Sequence, residues 1–134
     1  MALKFKSVNC YTREKDELMR FLKILAEDDK EVSPEHLFDQ FGRKYCCQWV
    51  CDEMGTHIGI IVFNVVAYRT GRCFTVVGAA GTCLQDWAAM TDQFRALAKE
   101  ANCVTMEMVG RKGFARAFKP HGWTEKHVVI ECAV

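Results

Sequence analysis

The segment from Cys73 to Val134 constrains the fold more than any other part of the sequence. It predicts a βαβ unit: a strand at Cys73–Gly78, a small glycine turn at Ala79–Thr82, a long amphipathic helix over about Gln85–Ala101 and a strand at Cys103–Val109. A glycine turn that leads from a strand into a helix offers backbone N–H groups at the positive end of that helix. The unit therefore predicts a binding site for a phosphate group, and it says much less about chemistry.

The apolar periodicity of the predicted helix is the clearest core signal in the chain. The apolar residues recur at steps of three, four, three and four, and they are Trp87, Met90, Phe94, Leu97 and Ala101. This spacing puts one face of the helix against a core. We interpret the stripe as packing and assign no function to it.

The part of the chain before this unit predicts a strand, two helices and two further strands. The first strand is expected at Leu3–Val8, and a helix with an apolar stripe follows it. Ser33 and Pro34 predict the start of a second helix, because serine caps a helix and proline suits its first position. Strands at Lys44–Glu53 and His57–Tyr68 then precede Cys73–Gly78, which predicts three neighbouring antiparallel strands.

The end of the chain predicts a short basic helix over about Lys112–Lys119, a Gly122-Trp123 turn and a last strand at Lys126–Val134. No internal repeat, low-complexity tract or linker interrupts the pattern. We therefore expect one α+β domain over residues 1–134, with a mixed, mostly antiparallel central sheet flanked by helices.

Composition excludes several classes of function. The net charge of +1 gives no overall field for nucleic acid or an anionic membrane, and no apolar run reaches the roughly 18–20 residues of a membrane span. The N-terminal sequence lacks the pattern of a signal peptide, so a cytoplasmic protein is expected. We expect the eight cysteines to be reduced and mostly packed as small apolar residues. Cys46, Cys47 and Cys51 with His57 lack paired metal-ligand spacing, so no metal is predicted.

The order of elements resembles the fold of GNAT-type N-acyltransferases over nearly the whole chain. The most specific part is the end, from the strand Cys103–Val109 through Gly110-Arg-Lys-Gly-Phe-Ala-Arg-Ala-Phe-Lys-Pro-His-Gly-Trp to the last strand. This stretch is similar to the strand, final helix, Gly-aromatic turn and closing strand of that family.

The resemblance implies a binding site for coenzyme A. In the family, a Q/R-x-x-G-x-G/A loop between strand and helix holds the pyrophosphate, and the matching span here is Gly78–Cys83, in which Gly81 occupies the place of the middle glycine. The leading Gln or Arg is replaced by Gly78, and the closing small residue by Cys83. The expected cosubstrate is acetyl-CoA, and the expected contact residues are Val76, Val77, Gly78, Ala79, Ala80, Gly81 and Thr82.

The residues that the family often uses for catalysis are missing. Phe118 stands where the family has a proton-donating tyrosine, and Cys73–Gly78 contains no carboxylate for a general base. Other candidates have ordinary structural explanations that are at least as good: His121, Glu107, Asp52, Glu53, Cys83 at the predicted helix start, and the basic set Arg111, Lys112, Arg116 and Lys119. The catalytic residues are therefore left open.

Two functions follow from the resemblance. The first is an N-acyltransferase that transfers an acyl group from a coenzyme A thioester to an unknown amine, mainly by positioning the substrates. The second is a catalytically inactive binding or assembly protein of the same fold, since short, diverged proteins of this kind in tailed-phage genomes resemble the chain. A nucleic-acid partner has little support, and an exposed C-terminal edge strand would permit a homodimer.

Overall fold

The computed structural model describes residues 3–28, 32–82, 84–108, 116–126, 130 and 132–134. Within these residues one sheet has five strands in the order β1 (Lys4–Ser7), β2 (Cys46–Cys51), β3 (His57–Tyr68), β4 (Gly71–Gly81) and β5 (Thr105–Met108). Neighbouring strands are antiparallel except for the parallel pair β4–β5. The predicted mixed, mostly antiparallel sheet and its three-stranded meander β2–β3–β4 are confirmed.

Among the elements whose full ranges are described, the α-helices α1 (Lys15–Asp28), α2 (Pro34–Gln40) and α3 (Thr91–Glu100) flank the sheet. The predicted start of α2 is confirmed, because the Ser33 hydroxyl accepts a hydrogen bond from the backbone N–H of His36 and Pro34 occupies the first turn. In the part of the chain that the structure describes, no helix is both long and apolar enough to cross a lipid bilayer.

The helices cover opposite faces of the sheet. Alternate residues of a strand point to opposite faces, and β3 shows this directly. Ile60 and Val62 pack with α1 and α2 in one buried cluster, whereas Ile61 and Phe63 pack with α3 in the other. We call the first side the α1/α2 face.

The predicted helix over about Gln85–Ala101 is divided into two parts. A 3₁₀ helix spans Leu84–Met90 and α3 begins at Thr91. Trp87, Met90 and Phe94 are buried as predicted, while Ala98 rather than Ala101 continues the buried stripe. A 3₁₀ turn aligns residues three apart, which suits the Trp87–Met90 pair.

The turn predicted at Ala79–Thr82 is wrong, because β4 continues to Gly81. Ala79, Ala80 and Gly81 lie opposite Ile61, Ile60 and Gly59 of β3, and the backbone N–H of Thr82 donates to the carbonyl of Ile58 at 3.1 Å. Small residues in sequence indicate a turn. Here they are small because the backbones of two strands and the helices approach closely.

The C-terminal predictions are confirmed in part. Gly122 ends the 3₁₀ turn Lys119–His121 with φ of 93°, a left-handed conformation that favours glycine, so the Gly122-Trp123 turn is present. Residues 116–118 are helical, and the earlier part of the predicted basic helix lies outside the described residues. Of the strand predicted at Lys126–Val134, residues 126, 130 and 132–134 are not in a strand, and the remainder lies outside the described residues.

The described cysteines occupy both buried and exposed positions. Seven cysteines are free, among which Cys47, Cys51 and Cys73 are buried in the sheet. Cys46 and Cys132 are exposed, so packing does not account for every cysteine. Cys83 lies outside the described residues.

Candidate functional site

A β-bulge in β4 is the main irregularity of the sheet near the predicted site. Val62 of β3 lies opposite Gly78, but its neighbour Phe63 lies opposite Val76, so Val77 has no opposite residue on β3. Val77 packs with the cluster on the α1/α2 face, and a Cβ atom at Gly78 would lie 2.6 Å from Leu25 on the same face. Bulges redirect side chains and backbone groups and are common next to binding sites.

The parallel pair β4–β5 ends where this bulge begins. Its register runs from Cys73 opposite Thr105 to Val76 opposite Met108. From Gly78 to Gly81, β4 pairs with β3 on one side, and from Val77 onward no described strand pairs with its other side. That stretch of β4 therefore presents an open edge within the part of the chain that the structure describes.

An apolar pocket of about 140 Å³ lies against the bulge on the α1/α2 face. The sheet contributes Val62, Val77 and Gly78 to its wall. The helical side and the chain before β2 contribute the rest, which are Leu25, Val32, Leu37 and Tyr45. Among the described residues that line the pocket, only Tyr45 has a polar group in its side chain, so the pocket suits an apolar part of a ligand.

A row of polar residues crosses three strands next to this pocket. Asn64 of β3 lies opposite Thr75 of β4, which lies opposite Glu107 of β5. Asn64 comes two residues after Val62, so it projects from the same α1/α2 face. Its Oδ1 atom is buried and has no hydrogen-bond partner among the described residues. An unpaired buried oxygen is costly, so such an atom in a native protein needs an explanation.

Glu107 is held by two side chains from other elements. Lys126 Nζ donates to Glu107 Oε1 at 2.8 Å, and the Tyr68 hydroxyl donates to Glu107 Oε2 at 3.3 Å. The negative charge of Glu107 raises the pKa of Tyr68, and the partial burial of Tyr68 raises that pKa further. The positive charge of Lys126 lowers it. The hydrogen bond to Glu107 and its charge also raise the pKa of Lys126. The polar row therefore ends in the carboxylate of Glu107, which forms an ion pair with Lys126.

This arrangement gives a prediction with opposite signs for two substitutions. Glu107→Gln is expected to lower the pKa of Tyr68 toward the ordinary tyrosine value of about 10, because it removes the nearby negative charge. Lys126→Met is expected to raise the pKa of Tyr68 further, because it removes the cation that opposes Glu107. The ultraviolet absorbance of tyrosinate during a pH titration measures both, and a Tyr68→Phe variant identifies the signal. Equal titration curves for the two variants would contradict the contact.

The seven residues predicted to bind coenzyme A lie together on or just after β4. Val76 is buried in the α3-side cluster, whereas Val77 and Gly78 form the bulge. Ala79, Ala80 and Gly81 continue the strand beside β3, and Thr82 follows it. Their role in binding coenzyme A stays a prediction, but the local shape is an extended strand edge rather than a glycine loop.

Gly81 has a structural reason to be glycine. Its φ is 148°, and a Cβ atom there would overlap the carbonyl oxygen of Ile58 and lie 2.6 Å from the Cα of Gly59. The space that its missing side chain leaves is thus occupied by β3. Gly81 provides no open cradle for a phosphate at that position.

The candidate catalytic residues other than Glu107 are dispersed. Asp52 Oδ1 accepts hydrogen bonds from the backbone N–H groups of Met54 and Thr56, both at 2.9 Å, and so closes the β2–β3 turn. Glu53 is exposed beside it, and His121 is exposed in the last 3₁₀ turn. Phe118 is buried at 4% exposure against Trp123. Of the basic set, Arg116 and Lys119 are exposed, while Arg111 and Lys112 lie outside the described residues.

The His57 side chain contacts a carboxylate and an aromatic ring, and His57 lies opposite Cys51 in the β2–β3 pair. Its Nδ1 lies 2.9 Å from Glu17 Oε1, and its ring stacks on Trp49 at a centroid distance of 4.1 Å. Residues 3–28, 32–82 and the later described parts contain no group of three or more His, Cys, Asp or Glu side chains placed to hold a metal ion. His57 therefore fixes the start of β3 to α1.

Sequence reasoning missed Asn64, Tyr68 and Lys126. The polar row was detectable in principle, because Asn64 interrupts an otherwise apolar strand between Ile58 and Ala67. Its partners were not, because they depend on the register of β3, β4 and β5 and on the path of the chain after Trp123. No sequence spacing relates Lys126 to Glu107.

The strand order, the parallel β4–β5 pair after an antiparallel meander and the helices on both faces define the fold of GNAT-type N-acyltransferases. A possible acetyltransferase from Clostridium difficile 630 superposes with a TM-score of 0.71 at 11% identity, covering 100% of this chain and 99% of that one. A predicted acetyltransferase with acetyl-CoA from Clostridium acetobutylicum gives 0.70 at 14% identity, covering 98% and 96%. A transcriptional regulator from Bacillus halodurans C-125 gives 0.69 at 13% identity, covering 99% and 100%.

These similarities establish the fold alone, because every identity is low. Neither a protein-family model nor a curated protein matches the sequence. The functions of the similar structures differ in their descriptions, since acetyltransferases and a transcriptional regulator share the architecture. Activity must therefore be argued from the site.

Proposed function

We propose that the protein is an N-acyltransferase, a single domain that transfers an acyl group from a coenzyme A thioester, acetyl-CoA in the simplest case, to an amine. The observation that carries this proposal is the open edge of β4 from Val77 to Gly81, directly after the parallel pair with β5 ends. An extended ligand with amide groups, such as the pantetheine arm, adds to an open strand edge by backbone hydrogen bonds.

The proposed binding site for coenzyme A differs from the glycine loop that the sequence predicts. Val77–Gly81 would contact the pantetheine arm as an edge, beginning directly after Val76, and the phosphates would lie beyond it, near Thr82 and the start of the 3₁₀ helix. The described residues fit the arm, because no described strand pairs with this edge. They fit a phosphate cradle at Gly81 poorly, because β3 fills that space.

The reaction in this proposal depends mainly on positioning. The amine nitrogen attacks the thioester carbonyl carbon, the C–N bond forms, and the C–S bond breaks with its electron pair on sulfur. Backbone N–H groups at the bulge would polarise the carbonyl, and Glu107 would take the proton of the amine through water. The thiolate takes its proton from water, because Phe118 is buried and has none to give.

Titration calorimetry with acetyl-CoA, coenzyme A and ADP tests the proposal. Acetyl-CoA and coenzyme A are expected to bind with micromolar affinity and ADP much more weakly, because ADP lacks the pantetheine arm. Hydrogen exchange then locates the contact: the amides of Val77–Thr82 are expected to be protected by coenzyme A, and those of β1 to be unchanged. A folded sample that binds none of the thioesters at millimolar concentration would overturn the proposal.

A catalytically inactive binding protein is the second candidate. It is favoured by the buried Phe118 at the place of the family's tyrosine and by the lack of a carboxylate on β4. Coenzyme A binding without acyl transfer to any amine, in a protein whose Glu107→Gln variant binds equally well, would support this candidate.

A further inference from the structure

The apolar pocket and the polar row are neighbours on one face of the sheet. Val62 lines the pocket, and Asn64 is the next residue of β3 on the same face, about 7 Å further along the strand. The rest of the lining comes from α1, α2 and the chain before β2. A ligand that fills the pocket and extends along β3 on this face reaches Asn64. The combined site is apolar at one end and rich in hydrogen-bond acceptors at the other.

The acceptor end is suited to a cationic donor. Asn64 Oδ1 is buried with no partner in the described part of the chain, and the carboxylate of Glu107 lies in the same row across Thr75. An ammonium group has three donors and no acceptor. Such a group would satisfy the Asn64 oxygen and lie in the field of Glu107, whose charge Lys126 shares.

The apolar end sets the size of the ligand. A pocket of about 140 Å³ is close to the volume of an apolar cavity of about 150 Å³ that binds benzene in another protein. The lining is aliphatic except for Tyr45. A substituent of about six carbon atoms would fill this volume, whereas a sugar or a second amine would leave polar groups unpaired there.

We propose that this site binds a primary amine with an apolar substituent of about six carbon atoms, its ammonium group at Asn64 and its substituent in the pocket between Leu25 and Val77. The proposal rests on the N-acyltransferase function above and specifies the class of its acceptor. It distinguishes aromatic and branched aliphatic amines from amino sugars and polyamines.

Binding of a series of amines tests the proposal without requiring turnover. Benzylamine, isobutylamine, ethylamine and ethanolamine are titrated into the full chain, with and without coenzyme A, and followed by calorimetry and amide NMR shifts. Affinity is expected to rise with apolar size and to be highest for benzylamine, at least about tenfold above ethanolamine. Equal affinity for benzylamine and ethanolamine, or no binding of either, would overturn it.

Substitutions at both ends separate the two contacts. Asn64→Leu is expected to weaken benzylamine binding by about tenfold or more, while Asn64→Asp retains or strengthens it. Asn64→Leu is also expected to raise the melting temperature, because the unpaired oxygen is removed, so loss of binding would not reflect unfolding. Unchanged affinity in Asn64→Leu would exclude the ammonium contact.

Val32→Phe fills the pocket from its rim and is expected to reduce benzylamine affinity by about tenfold. Ile24→Phe is the matched control, because Ile24 is exposed on α1 and does not line the pocket. Equal effects of both would refute the pocket contact. Coenzyme A binding without amine binding would overturn this inference alone, whereas amine binding without coenzyme A binding would overturn the transferase function and leave the amine site.

Discussion

Replacing Phe94 with alanine is expected to lower the free energy of unfolding by about 3–5 kcal/mol. Phe94 is completely buried in α3, and its ring makes edge contacts with Phe5 at 5.0 Å and Trp123 at 6.3 Å between centroids. The substitution leaves a cavity between the first strand, the third helix and the C-terminal turn, three elements that cannot all move to fill it. Chemical denaturation at constant pH measures the change.

Glu100→Ala serves as the control for Phe94, because Glu100 is exposed near the end of the same helix. Its effect is expected to stay within about 0.5 kcal/mol. If Phe94→Ala cost no more than this control, the packing of α3 on the sheet would be incorrect.

Gly81→Ala is expected to cost about 2–6 kcal/mol, the combined effect of backbone strain and of a steric overlap. Its φ of 148° is one that side chains disfavour, and the new Cβ atom would overlap the carbonyl oxygen of Ile58. That oxygen belongs to β3 backbone and cannot rotate away. Thermal or denaturant unfolding of the variant measures the effect, and a low yield of folded protein agrees with the upper end of the range.

Substitutions at two other glycines measure the backbone strain and the steric overlap separately. Gly55 has φ of 80° and open space around the position of a Cβ atom, so Gly55→Ala reports strain alone, at about 1–2 kcal/mol. Gly59 lacks a positive φ, but a Cβ atom there would lie 2.5 Å from the carbonyl oxygen of Ala80, so Gly59→Ala reports overlap alone. If Gly81→Ala were no worse than Gly55→Ala, the close approach of β3 and β4 would be contradicted.

The sheet and its glycines show which parts of the fold can be predicted from the sequence and which cannot. Alternation and helical periodicity predicted β3, the meander and the buried stripe Trp87–Met90–Phe94, because those signals depend on burial of one face. The glycines at 78 and 81 were interpreted as a loop for phosphate. In the structure the backbone of β3 requires glycine at position 81, and Gly78 lies against the side chain of Leu25; both neighbours are distant in sequence.

The candidate site was harder to predict from the sequence, because it also depends on contacts between residues that are distant in sequence. The row Asn64–Thr75–Glu107 depends on strand register, and the bulge at Val77 shifts that register by one residue. The sequence Thr75-Val76-Val77-Gly78 contains no feature that predicts a bulge. The pocket likewise depends on where Leu25 and Leu37 lie over the sheet, and those positions are set by tertiary packing.

The connectivity of the sheet has a consequence for the order in which the chain folds. β2, β3 and β4 are joined by short turns, so bringing them together costs little chain entropy, whereas β1 pairs with β2 only after α1 and α2 have been traversed. β5 likewise requires the whole crossover through α3. We therefore expect the meander to form first and to have two unpaired edges until β1 and β5 pair with it. During that interval the chain is most prone to associate with other copies, so refolding at low protein concentration is expected to increase the yield of folded protein.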